Sequence, residues 1–294
     1  MPAKLIVSAY SGRWLARERL PEVRAALDAA GVEYDPVVSE RSRHCETLAA
    51  EAARAGFSPI IVAGGDGAMN EVINGLAQVQ SGTVGPVGVF PLGTANDFAD
   101  MIGLPRDFGE AARAIKAGKT KTVDVGRVNG RYFDNNSAIG LEPTVTLQSN
   151  RLTWLRGTIR YLVSAVMVVM RAPKWDAKLE WDDGRYEGSI ALVTVGNTRR
   201  TGGFFMTPEA IPDDGFLDFV YASGMGKRRL FQLLPMALKG THVNEPEVKM
   251  IRSRRLSIRT ARPTPLHTDG EILSETVTEA QYEIVPGKLQ VLVP

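Results

Sequence analysis

Ile60-Ile61-Val62-Ala63-Gly64-Gly65-Asp66-Gly67-Ala68-Met69-Asn70-Glu71-Val72-Ile73-Asn74-Gly75-Leu76 is the stretch on which the fold turns. Its first four residues are apolar and of buried-strand type, and they run into Gly64-Gly65-Asp66-Gly67. Met69, Val72, Ile73 and Leu76 then repeat at i, i+3, i+4 and i+7, the stripe of an amphipathic helix. A strand, a glycine loop and a helix N-terminus in that order form an anion cradle, because loop amides and the helix dipole both favour negative charge there. Glycines let a phosphate approach the backbone with no Cβ in the way. The candidate ligand-holding residues are therefore Gly64, Gly65, Asp66, Gly67, Ala68, Met69, Asn70 and Glu71.

Two better-known phosphate loops are excluded. A dinucleotide fingerprint needs glycine or alanine where Asn70 stands, and a Walker loop ending at Gly118-Lys119-Thr120 needs glycine where Arg113 stands. Asp66 is unusual for a phosphate cradle, since a carboxylate beside phosphates repels them unless a cation intervenes. It is read either as a sign of magnesium nucleotide or as a carboxylate turned away to hold the loop.

A second strand–loop–helix unit follows. Val87-Gly88-Val89-Phe90 reads as a buried strand running into Pro91-Leu92-Gly93-Thr94-Ala95-Asn96-Asp97. Thr94 is an expected N-cap with Asp97 at the capping-box distance. Gly93, Thr94, Asn96 and Asp97 join the candidate set, because ligands of doubly wound sheets bind beyond the carboxyl ends of the strands.

Around these units strand and helix alternate: strands at 4–8 and 33–38, helices at 15–30, 42–55 and 108–117. That order predicts a parallel, helix-covered sheet over residues 1–122. From 123 to 287 short strand-like runs dominate, at 131–135, 177–181, 189–195, 216–221 and 256–260, with turns at Asp183-Gly184 and Asp269-Gly270. Helices are expected at 152–170 and 227–239. The expectation is an α/β N-terminal domain plus a β-rich C-terminal domain, with an interdomain cleft.

Gly64-Gly65-Asp66-Gly67 with Asn70-Glu71, followed by Pro91 to Ala99, resembles the diacylglycerol kinase catalytic-domain family, in particular its bacterial soluble lipid kinases. Later landmarks fall in the right order: 133–140, 195–203, 208–218 and Thr268-Asp269-Gly270-Glu271. The resemblance implies a nucleotide domain like those of NAD kinases and phosphofructokinases, a β-sandwich-like lipid-substrate domain, and a last strand, 288–294, returning to the first domain. It also implies ATP and Mg2+. Asp269 or Glu271 would be the general base; the competing reading is that Asp269-Gly270 is only a hairpin turn. A structural cation would use Asp214 and the carbonyls of Ile211 and Phe216. Ser11-Gly12 is similar to the family's phosphate turn, although Ser8-Ala9 replaces its usual Asn-Pro, and Ser39 matches a nucleotide-contacting position. Ala68 stands where the family usually has threonine.

The bounds are compatible. The chain has 294 residues, 44% of them hydrophobic and 23% charged, and a net charge of +2, which points away from nucleic acid. A lone cysteine, Cys45, makes no internal disulfide and suits a cytoplasmic protein. The run 161–170 is too short to span a bilayer. Basic residues at 227–229 and at Lys249, Arg252, Arg254, Arg255 and Arg259 are a candidate for peripheral contact with the inner membrane face. A homodimer stays open. Three function classes compete: an ATP-dependent lipid kinase, a soluble-substrate kinase of the NAD kinase kind, and a non-catalytic nucleotide- or lipid-binding homologue.

Overall fold

The structure, a computed structural model, describes residues 2–9, 18–152, 154, 155 and 157–294. The chain divides into two compact units, Met1–Val125 with Pro286–Pro294, and Gly126–Val285.

The first unit is a parallel sheet with helices on its faces. Its elements are β1 (Ala3–Val7), α1 (Leu20–Ala29), β2 (Tyr34–Val38), α2 (His44–Arg54), β3 (Ile60–Gly64), α3 (Asp66–Ala77), β4 (Val84–Pro91), α4 (Asp97–Ile102) and α5 (Phe108–Ala117). The chain leaves through β5 (Thr120–Val128) and returns with the end of β13 (Glu271–Leu292), where Leu289 and Val291 pair in parallel with β4. The strand order is β2-β1-β3-β4-β13, and every pairing among these five is parallel. Leu5, Ile61 and Phe90 pack with Val23 and Leu27 of α1 and Ile115 of α5 in one core cluster. In this order the chain steps from β1 to β2 on one side and crosses back to β3 on the other. The switch point, where such sheets bind ligands, lies at the carboxyl ends of β1 and β3.

The second unit is antiparallel: β6 (Arg131–Phe133), β7 (Asn136–Gly140), α6 (Leu141–Arg151), α7 (Gly157–Arg171), β8 (Trp175–Trp181), β9 (Gly184–Gly196), β10 (Leu217–Ser223), α8 (Lys227–Ala237), β11 (Val248–Ser253) and β12 (Arg255–Thr268). The long strands β9 and β12 pair with β8 near one end and with β7 near the other, so the ladder runs round a common core. Phe133, Leu179, Val193, Phe219, Leu256 and Tyr282 fill that core. The two-domain expectation, α/β first and β-rich second, holds.

Two local expectations are corrected. The strand expected at 131–135 ends early, at Phe133, because Asp134 and Asn135 turn their amides toward the Asp269 carboxylate. The helix expected at 152–170 is α7, and it is preceded by α6, which had no helical signature. α6 buries Glu142, Pro143, Val145, Thr146, Gln148 and Ser149, so its hidden side is largely polar and shows no apolar stripe. Residues 15–17 of the helix expected at 15–30 lie outside the described residues, and the helix is described from Leu20 to Ala29.

Candidate functional site

At the switch point β3 ends at Gly64 and α3 begins at Asp66, with Gly65 between them in extended backbone. The two candidate loops of this unit touch. A Cβ on Gly65 would lie 2.8 Å from the Gly93 Cα, and one on Gly93 would lie 2.6 Å from the Gly65 Cα. Both glycines are therefore needed for loop-on-loop packing, beyond any approach of a ligand.

Asp66 binds the loops together. Its Oδ2 accepts from the Asp97 amide at 3.3 Å and its Oδ1 from the Phe98 amide at 3.2 Å. These are first-turn amides of α4, so the carboxylate of one loop caps the helix of the other. Of the two readings of Asp66, these contacts match the carboxylate that holds the loop. The expected cap at Thr94 is corrected: Thr94 is exposed, and the N-cap position is Asn96, whose φ is 54°. Asn96 also spends its side chain locally, accepting from the Gly93 amide at 2.9 Å and donating to the Gly93 carbonyl at 3.0 Å.

The remaining candidates of this unit fall into two groups. Ser39 lies at the end of β2, where its hydroxyl accepts from the Ala9 amide at 3.0 Å, on the same sheet edge as the glycine loop. Ser11 and Gly12 lie outside the described residues. Ala68, Met69 and Asn70 are buried along α3. Glu71 accepts from the Arg43 and Cys45 amides at 2.9 and 3.0 Å and so caps α2. Burial, with Glu71 adding to it, pushes the Cys45 thiol up to about 12, as suits an inert structural cysteine.

In the second unit Asp269 and Gly270 form the two-residue loop between β12 and β13, flanked by the pair Thr268–Glu271. Their φ values, 47° and 80°, are those of a type I′ hairpin. The hairpin turn named as the competing reading is therefore present, and Asp269 is a turn residue. Its buried carboxylate accepts three amides, from Asp134 at 3.1 Å, Asn135 at 3.0 Å and Asn136 at 2.7 Å. Glu271 opens β13 and is exposed.

A buried polar network lies next to this turn. Glu142 accepts from the Asn136 amide group at 2.9 Å and the Thr194 hydroxyl at 2.6 Å, and its Oε1 lies 3.2 Å from His267 Nε2. Desolvation drives the Glu142 carboxyl upward, but His267, Thr194 and Asn136 outweigh it and hold the carboxyl below its ordinary value. His267 Nδ1 in turn accepts from the Gly270 amide at 3.4 Å. Neither His267 nor Glu142 is among the residues that the sequence singles out. A glutamate just before a proline, in a helix with no apolar stripe, gave no pattern that would have flagged it.

Glu142 also borders an apolar pocket with about 90 Å³ of free volume, lined by α6, α7, α8 and the face of β9-β10-β11, with Val145, Ala165, Leu192, Val220, Leu233 and Val248 among its walls. In the loop before β10, Asp214 accepts from the Phe216 amide at 3.1 Å, and Arg252 lies 3.4 Å from Asp214 and 3.3 Å from Asp218. Asp214 Oδ2 and Asp218 Oδ2 are buried without a hydrogen bond. Burial pushes the Asp218 carboxyl up against the pull of Arg252.

The family model described as the diacylglycerol kinase catalytic domain matches residues 2–128. The YegS C-terminal NAD kinase beta sandwich-like domain matches 136–293. The chain belongs to the diacylglycerol kinase catalytic-domain family. As a member it is a lipid kinase. It is 30% identical to the diacylglycerol kinase of Staphylococcus carnosus over 271 residues, covering 92% of this chain and 88% of that one. It is also 30% identical to the diacylglycerol kinase of Bacillus subtilis over 272 residues, covering 92% and 89%. In fold it matches a solved diacylglycerol kinase of Bacillus anthracis at TM-score 0.74 and 24% identity, over 100% and 97% of the two chains. Yeast NADH kinase complexed with NADH matches at TM-score 0.52 and 12% identity, over 100% and 84%. Among the described residues no helix is long and apolar enough to cross a membrane.

Proposed function

We propose that this kinase transfers the γ-phosphoryl group of Mg-ATP to the hydroxyl of a diacylglycerol-like lipid. The observation that carries the choice of lipid over a soluble acceptor is the pocket of the second unit, whose walls are apolar except at Glu142, Thr201 and His242. Such walls favour an acyl chain and offer few partners to a sugar or dinucleotide.

The phosphates are assigned to the loop after β3, where the amides at the start of α3 and the dipole of that helix favour negative charge. Asp66, Gly65 and Gly93 hold that loop against its neighbour, and Ser39 orders the adjacent strand end.

The general base is assigned to Glu271. Asp269 already accepts three main-chain amides and serves to hold the turn, whereas Glu271 is exposed beside it. In phosphoryl transfer such a base orients the hydroxyl and accepts its proton as the bond to phosphorus forms.

Among the described residues no cluster of three or more His, Cys, Asp or Glu is arranged to hold a metal ion. One carboxylate with main-chain carbonyls is a different kind of site, and hard oxygen donors of that kind suit Mg2+. The buried carboxylate oxygens of Asp214 and Asp218 that lack a hydrogen bond fit a cation, although Arg252 already supplies part of the countercharge. Asp214 with the carbonyls of Ile211 and Phe216 would hold it, and its positive charge would steady the loop.

The test is transfer from labelled ATP to a lipid panel in mixed micelles, with NAD as a control. Labelled phosphatidic acid formed from diacylglycerol is the expected result. Label on NAD and none on any lipid would overturn the proposal.

A further inference from the structure

Of the ten large apolar side chains that are exposed among the described residues, six lie between Trp154 and Met170. Trp154 is 75% exposed, Ile159 64%, Leu162 44% and Met170 53%, with Val166 and Met167 close behind. Ile159, Leu162, Val166, Met167 and Met170 fall at i, i+3, i+7, i+8 and i+11, which is one face of α7. Its opposite face is also apolar: Ala165, Val168 and Val169 are buried, and Tyr161, Ala165 and Val169 line the pocket. A helix that is apolar on both sides is either enclosed by protein or in contact with lipid, and the outer side of α7 is not enclosed. Exposed apolar patches of this kind mark interaction sites.

Charge decides the partner. From Pro143 to Trp175 the sequence contains no aspartate or glutamate, yet it carries Arg151, Arg156, Arg160, Arg171 and Lys174. Arg151, Arg171 and Lys174 are exposed. Apolar side chains on one face, a tryptophan at the end and cations around it are the features of an interfacial helix on an anionic bilayer. Three cations of the basic cluster expected to do this job already have carboxylate partners. Arg229 pairs with Glu245 and Glu247, Arg252 with Asp214 and Asp218, and Arg259 with Glu279.

We infer that the outer face of α7, with Trp154, is the surface by which this protein docks on anionic membranes. The helix is then a wall one residue layer thick on each side, with bilayer against Ile159, Leu162 and Met170 and the acyl pocket against Ala165 and Val169. A lipid leaving the leaflet has only this helix to pass. The inference rests on the lipid-kinase reading for its reason, but not for its test.

The test is co-sedimentation of the intact protein with phosphatidylglycerol-containing vesicles, in the absence of nucleotide, against vesicles of phosphatidylcholine alone. Binding should favour the anionic vesicles and fall as salt rises. Ile159→Glu combined with Met170→Glu should reduce partitioning at least about tenfold, since each side chain loses its apolar burial. Both positions are exposed, and circular dichroism checks that the variant is folded. In the unmutated chain, vesicles should shift tryptophan emission to the blue, and Trp154→Phe should remove that shift. Unchanged binding in the folded double variant would overturn the inference. So would a dimer in solution that the double variant converts to monomer, because the face would then belong to a second copy. Vesicle binding without lipid phosphorylation would sink the proposed function and leave this inference standing; phosphorylation in micelles without vesicle binding would do the reverse.

Discussion

Asp66 in the first unit and Asp269 in the second both accept main-chain amides from a neighbouring loop, but in different settings. Asp66 is partly buried at the head of a helix and takes two amides at 3.2 and 3.3 Å, and the loops it joins also touch through Gly65 and Gly93. Asp269 is buried in a tight turn, takes three amides at 2.7 to 3.1 Å, and sits beside the Glu142–His267 pair. The first clamp is shallow and shared with backbone packing. The second is deep and electrostatic, so its removal leaves donors buried with no partner. Both residues look like chemistry in the sequence, and in the fold both act as joints that position the groups around them.

The largest effect on stability is expected at Glu142. Glu142→Ala leaves three buried donors, on His267, Asn136 and Thr194, without their shared acceptor and should destabilise the second unit by about 1–3 kcal/mol for each donor left unsatisfied. Denaturant titration measures it. The sign with pH follows from the depressed carboxyl. The contribution is present above the ordinary glutamate value of 4.5 and is lost as pH falls below it. Glu142→Gln should flatten that acid-side loss, and an unchanged pH profile would remove Glu142 from the account.

Asp269→Asn keeps the side chain's shape but only one acceptor oxygen. Given that hydrogen bonds to a charged group contribute about 1.5–3 kcal/mol each, a loss of about 2–3 kcal/mol is expected. Stability equal to that of the unmutated chain would show that the deep clamp is not one.

At the shallow clamp the expected loss is smaller. Gly65→Ala places a methyl against Gly93, an overpacking worth about 1–3 kcal/mol, together with weaker ATP binding as the loops part. Normal stability with lost ATP binding would instead favour direct contact between Gly65 and phosphate. The smallest effect is expected at Asp214, where Arg252 already supplies charge. Asp214→Ala should remove any stabilisation by added magnesium, read as a thermal shift, while ATP affinity is kept. If the magnesium shift persists, the cation sits elsewhere.

The sequence made the first unit legible because each step of its chain is local. A strand, a glycine loop and an amphipathic helix announce themselves within 17 residues at 60–76. The second unit was legible as a class and less so in detail. Its decisive contacts join residues more than a hundred positions apart, as Asp269 joins Asn136 and His267 joins Glu142. No local period reports such pairs. α6 was missed for the related reason that its buried side is polar, held by hydrogen bonds rather than by an apolar stripe. Function was carried by the motifs of both units, but the proposed division of labour between Asp269 and Glu271 rests on the turn geometry.

That division is the central claim, and one paired measurement addresses it: stability and lipid phosphorylation of Asp269→Asn and Glu271→Gln, with ATP affinity determined separately. The account predicts that Glu271→Gln melts like the unmutated protein, binds ATP normally, and loses about a hundredfold or more in turnover, the scale of a general base. Asp269→Asn should lose stability first, with turnover falling only as far as the turn is disturbed. Near-full turnover in Glu271→Gln, alongside a stable and inactive Asp269→Asn, would contradict it and make Asp269 the base.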